Sequence, residues 1–89
     1  MARLEINDAT MAALGQEDAS GDILFRLGMN YSTGRNGTSD LVEAHKWFNL
    51  AAMKGKREAV CYRQEIAAEM SSSEVAEAQR AAREWLRLH

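Results

Sequence analysis

A chain of 89 residues holds a single domain, since domains usually run to roughly 100–150 residues, and its core must be thin, because a chain this short removes only about 60–65% of its unfolded surface from water. Its formal charge of −2 comes from 11 basic and 13 acidic residues scattered along the chain; no basic face is available to neutralise phosphates, which argues against nucleic-acid binding. No apolar run approaches the ~20 residues that span a bilayer, and Arg3, Glu5 and Asp8 interrupt the start of the chain too early for a secretory signal.

Fifteen alanines and no proline favour helix, because alanine loses no side-chain entropy there and nothing interrupts the backbone ladder. No stretch alternates apolar and polar residues as a half-buried strand does. The fold class expected is all-α with about four helices. Residues 1–18 are expected to be an N-terminal segment, either a short helix over Asn7–Leu14 or a frayed end, and residues 19–89 the folded domain.

Taken in chain order, the first helix is predicted from about Ser20 to Tyr31, with Ile23, Leu24, Leu27 and Tyr31 forming a helical stripe. It should stop in the polar run from Ser32 to Gly37, whose glycines and asparagine can take left-handed conformations. Ser39 or Asp40 then caps a second helix that continues to about Lys54 and ends at Gly55. A third is expected from about Arg57 to Glu69. The last helix has the clearest start: Ser71 and Glu74 make a Ser-x-x-Glu capping box, flanked by Met70 and Val75 at the spacing of a hydrophobic staple. Its apolar stripe is Val75, Ala78, Ala82, Trp85 and Leu86, and Arg80 and Glu84 are spaced to pair along its surface.

Catalytic and metal-binding readings find little to hold. His45 is expected to be solvated or at the boundary of the core, and Cys61, the single cysteine, to be a buried or half-buried structural residue, since no adjacent feature would activate its thiol. No cluster of Cys, His and carboxylates has metal-ligand spacing, and no cofactor is expected. Gly34 to Gly37 follow a helix rather than a strand and lack the Lys-Ser/Thr of a phosphate loop. Trp47, Phe48 and Trp85 are expected to be core, with Trp47 buried between the first and second helices.

The most specific pattern reads Leu27-Gly28-x-x-Tyr31-x-x-Gly34, then Asp40, then Ala44-x-x-Trp47-Phe48-x-x-Ala51-Ala52-x-x-Gly55-x-x-x-Ala59. It describes a tight helical hairpin: Gly28, Ala44, Ala51 and Ala52 are small enough to bring the axes toward the short end of the usual ~8–10 Å separation. This pattern resembles the Sel-one-like repeat, a relative of the tetratricopeptide repeat. The resemblance covers one full repeat, and Ala59 lies 36 positions after Ile23, where a second would place its first small residue. That second repeat is degenerate: Arg63-Gln64 stand in place of Leu-Gly, Ala67 in place of the tyrosine, and Trp85-Leu86 echo Trp47-Phe48 two positions late. Asn36 occupies the place of a loop glycine, and Gly37 that of an apolar residue.

The resemblance implies a short tetratricopeptide-like superhelix whose second repeat is a polar-faced cap, and a non-catalytic bacterial-type adaptor or scaffold that binds another protein in the cytoplasm. Some cysteine-rich members of that family carry a β-lactamase attribution. Such chemistry would need Ser-x-x-Lys, and no serine of this chain has a lysine three residues on. The first helix of each pair would line the concave surface, presenting Arg26 and Asn30 from the first pair and Tyr62 and Glu65 from the second. The alternative function is a structural subunit completed by another solenoid, or a homo-oligomer, the expected states being monomer or weak homo-oligomer.

Phe25 and Met29 raise a separate expectation. On a helical wheel centred at Leu27 they fall almost opposite the packing stripe. Two large apolar groups on an outer face call for a cover. Either Leu4, Ile6, Met11 and Leu14 of the N-terminal segment fold back over them, or they form a patch for a partner or a second copy.

Overall fold

The computed structural model describes residues 20–34 and 39–89, which form four α-helices and no strand: α1 (Gly21–Thr33), α2 (Leu41–Met53), α3 (Glu58–Ala67) and α4 (Ser72–Leu88). The fold is all-α, and helix packing alone makes its core.

The capping chemistry sets most of the boundaries. Ser20 accepts the amide of Ile23 on its hydroxyl (3.2 Å), and Asp40 accepts that of Glu43 (3.1 Å), so each start has one of its unpaired amides satisfied. At Ser71 both halves of the capping box form: the hydroxyl accepts the Glu74 amide at 3.1 Å, and the Glu74 carboxylate accepts the Ser71 amide at 2.8 Å. Gly34 closes α1 with φ 75°, and Gly55 follows α2 with φ 96°; glycine takes that left-handed backbone without a Cβ clash. α1 runs two residues past Tyr31, and Ser32 and Thr33 donate their hydroxyls to the carbonyl of Met29 (3.1 and 2.8 Å). α3 differs from the others: Arg57 at its start makes no side-chain cap.

α1 and α2 lie antiparallel. The Asp40 amide donates to the Tyr31 carbonyl (2.9 Å) at one end, and Gly21 sits beside the Ala51 carbonyl at the other. Gly28 faces the ring of Phe48 so closely that a Cβ there would stand 2.5 Å from Cδ1. Of the four small residues expected in the seam, Gly28 meets Phe48, Ala44 and Ala51 are fully buried, and Ala52 is half-buried.

α2 is the centre of the molecule. α1, α3 and α4 each pack against it, and its buried residues, Ala44, His45, Trp47, Phe48, Leu50 and Ala51, point around most of its circumference at 100° per residue. α1 contributes Leu24 and Leu27 to this core, α3 Ala59 and Ile66, and α4 Ala82.

Trp47 is buried at 7% exposure as expected; it also meets Trp85 of α4 edge to face at 5.9 Å, while Phe48 is the ring set against Gly28 of α1. Several expectations need correction. His45 is neither solvated nor at the boundary: it is 3% exposed, because a helix surrounded on three sides has little outer face to give it. Cys61 is exposed, since α3 buries only Ala59 and Ile66. Glu84 pairs with Arg87 instead of Arg80. Phe25 and Met29 are half-buried against the core, because α1 has neighbours on more than its Leu27 side. Leu4, Ile6, Met11 and Leu14, their expected cover, lie outside the described residues, as do Asn36 and Gly37 of the loop.

Candidate interaction surface

Along α1 runs a depression of about 480 Å³ lined, among the described residues, by Asp22, Phe25, Arg26, Met29, Asn30 and Thr33. Ligand sites commonly span ~300–1,000 Å³, so it is large enough to receive side chains. The lining residues fall three, four, seven and eight positions apart, and the helical period gathers them into one stripe beside the stripe that α1 turns to α2.

The stripe has an apolar floor and a polar edge. Phe25 is held by two other rings: it lies 5.6 Å from Phe48 and meets Tyr62 of α3 edge to face at 5.4 Å, while Tyr62 stacks on Phe48 at 5.5 Å. Three aromatics from three helices thus fix the orientation of Phe25, each pair worth on the order of 0.5–1.5 kcal/mol beyond its buried area. Met29 supplies an adaptable apolar surface one turn on.

Charge at the edge is arranged unevenly. Asp22 accepts from the Lys56 ammonium at 2.7 Å, and Lys56 also lies 3.6 Å from Glu58 and over the Phe25 ring at 5.3 Å. The hydrogen bond from Lys56 holds the Asp22 carboxyl below its ordinary range, and the same bond holds the Lys56 ammonium above its own. Arg26 is exposed and makes no ion pair among the described residues, so it is the charge left facing solvent beside Phe25 and Met29.

Of the residues expected on the binding surface, Arg26, Asn30, Phe25 and Met29 share this depression. Asn30 is 5% exposed, a correction to the open position expected of it. Tyr62, at 37% exposure, reaches the site through Phe25, whereas Glu65 is exposed on α3 and does not line the depression. Asp22, Thr33 and Lys56 went unpredicted. The first two continue the stripe of Arg26 and Asn30, Asp22 one turn before Arg26 and Thr33 one turn after Asn30, and were legible as such; Lys56 lies in the connection between α2 and α3, where no periodicity could indicate its direction.

Among the described residues no group of three or more His, Cys, Asp and Glu side chains could hold a metal ion, and no helix is long and apolar enough to cross a membrane. No protein-family model matches this chain, and comparison with curated proteins and with solved structures gives no match.

Proposed function

We propose that this chain is a non-catalytic protein-interaction module of the Sel-one-like repeat type, and that the α1 stripe takes an amphipathic segment of another protein. The observation that carries the reading is the pairing of an apolar floor, Phe25 and Met29, with Arg26, a cation that makes no ion pair among the described residues, in a depression of side-chain size. Because Lys56 already neutralises Asp22, a ligand meets a cationic edge. A large apolar side chain seats on Phe25 and Met29, and a carboxylate beside it accepts from the Arg26 guanidinium. We assign the module to the cytoplasm, where an exposed thiol such as Cys61 stays reduced.

The test is a displayed peptide library panned against the immobilised protein. Enriched peptides should carry Asp or Glu within a turn of a large apolar residue. Arg26→Glu should weaken them at least tenfold, as expected for losing a charge-assisted hydrogen bond of about 1.5–3 kcal/mol. Enrichment with no acidic preference, or equal binding by Arg26→Glu, would defeat the assignment.

A second reading is favoured by one observation: Leu86 and Leu88 of α4 are 41% and 67% exposed. A subunit completed by another solenoid, or a weak homo-oligomer, would cover them. Light scattering across a concentration series distinguishes this reading, which requires a mass above the monomer's that Leu86→Glu restores to the monomer value.

A further inference from the structure

We propose that His45 is an acid-sensitive latch between α2 and α3: when its imidazole takes up a proton, α3 comes away from α2, and the contact of Tyr62 with Phe25 goes with it. The latch stands on its own geometry; only its consequence for ligand capture rests on the function proposed above.

Four observations converge on it. His45 is 3% exposed, and its Nδ1 has no hydrogen-bond partner among the described residues. Neutral imidazole tolerates one idle nitrogen at modest cost, but imidazolium presents two donors and a charge, and a buried charge without an acceptor is far more costly. Next, Asn49 lies one turn on from His45 along the same face of α2, and Asn49 Oδ1 accepts from Arg63 Nη1 of α3 at 2.7 Å. The guanidinium is therefore anchored within a turn of the imidazole, where two like charges repel. Third, α3 is the element least able to resist. It is 10 residues long, has no side-chain cap at its start and buries only Ala59 and Ile66. Finally, burial, and after it the field of Arg63, hold the His45 pKa below its ordinary value, against a weaker opposing pull from its own backbone.

No described neighbour offsets the charge. Arg63 is the ionised group that α3 turns toward His45. The α1 residues in or against the core are Ile23, Leu24, Phe25, Leu27, Met29 and Tyr31, and those of α4 are Ala82 and Trp85; none is acidic, and burial holds the one titratable group among them, the Tyr31 phenol, above its ordinary value and so neutral here. On α2 itself, Glu43 is engaged by Trp47 Nε1 (3.0 Å) and Lys46 (3.4 Å). The sign follows. Because the folded state binds the proton more weakly than the unfolded chain does, stability is intact above the ordinary histidine value of about 6.5 and is lost as pH falls from there through the lower folded value.

The experiment is a pH titration of the whole chain by NMR, with thermal melts at pH 7.5 and 5. The chain has two histidines, and His89→Gln assigns their ring signals. The expected results are that His45 titrates below the ordinary histidine value of about 6.5, that amide signals of Glu58–Ala67 shift or broaden on acidification before those of α4, and that the melting temperature falls by roughly 5 °C or more. Arg63→Gln should raise the His45 midpoint, and His45→Gln should flatten the pH dependence of the melt. The proposal is overturned if His45 titrates at the ordinary histidine value, if all helices lose their signals in one step, or if His45→Gln loses as much stability in acid as the parent chain. Should His45→Gln fail to fold, the ring titration and the Arg63→Gln shift decide the matter. None of these measurements needs a ligand, so they stand or fall separately from the peptide selection.

Discussion

At the scale of single residues, shape decides more than chemistry. Gly28 is held by the Phe48 ring, and the 2.5 Å a Cβ would leave cannot be relieved by turning a flexible chain end, since Phe48 is itself wedged between Phe25 and Tyr62. Gly28→Ala gains up to ~1 kcal/mol in helix propensity and loses about 1–3 kcal/mol to overpacking. A net fall in melting temperature is expected, and an increase would mean that the α1–α2 seam is looser than drawn here. Trp47→Ala empties the contact with Trp85 and should cost about 3–5 kcal/mol, a large part of the ~5–13 kcal/mol that a chain of this size holds in reserve. Circular dichroism reads the outcome directly. Cys61 supplies the contrast: it is exposed, so Cys61→Ser should change stability by less than ~0.5 kcal/mol and leave peptide capture intact. Lost binding by that variant in a folded state would reopen a role for the thiol.

At the scale of elements, the ends were legible and the faces were not. Ser71 with Glu74 and Gly34 act where the chain order suggested, Asp40 rather than Ser39 caps α2, and Ser20, expected only as the approximate start of α1, proves to be its cap; a cap is a local interaction between residues three or four apart. Ser71→Ala should accordingly cost about 1 kcal/mol, seen as a lower denaturant midpoint with an unchanged slope; no loss would mean that the capping box adds nothing to what the tertiary contacts of α4 already provide. The faces depend on neighbours that no local pattern names. Phe25 looked stranded because a single packing direction, toward α2, was assumed for α1, while the ring of Tyr62 arrives from a helix 37 positions later in the chain. His45 and Cys61 were misread for one shared reason. α2 is enclosed and α3 is scarcely covered, and the sequence of either helix alone reports its own periodicity rather than how many helices surround it. Arg26, Asn30 and Met29 come together because they share one helix, so this part of the site was within reach of periodicity, and the burial of Asn30 was not.

At the scale of the molecule, the arrangement about α2 departs from what a stack of independent repeats would do. In a simple solenoid each unit touches its neighbours only, stability is close to a sum over units, and an end unit can be lost without unfolding the rest. Here α1, α3 and α4 all depend on one helix, and α4 covers its own sector of it: Ala82 is in the common core and Trp85 closes over Trp47. Removing α4 by ending the chain at Met70 would expose Trp47 without offering it another partner. It would also leave α3 without a following element, although α3 has neither a cap nor a broad apolar face of its own. Helices of 10–13 residues are marginal in water without tertiary support, so the truncated chain should lose helical ellipticity far beyond the share of the 17 residues of α4, and its melt should lose its sigmoidal shape. A truncated chain that kept the remaining ellipticity and still melted cooperatively would show that α1 and α2 form a self-sufficient repeat, with α4 a separable cap. The two results distinguish a domain built on one shared helix from a solenoid assembled unit by unit.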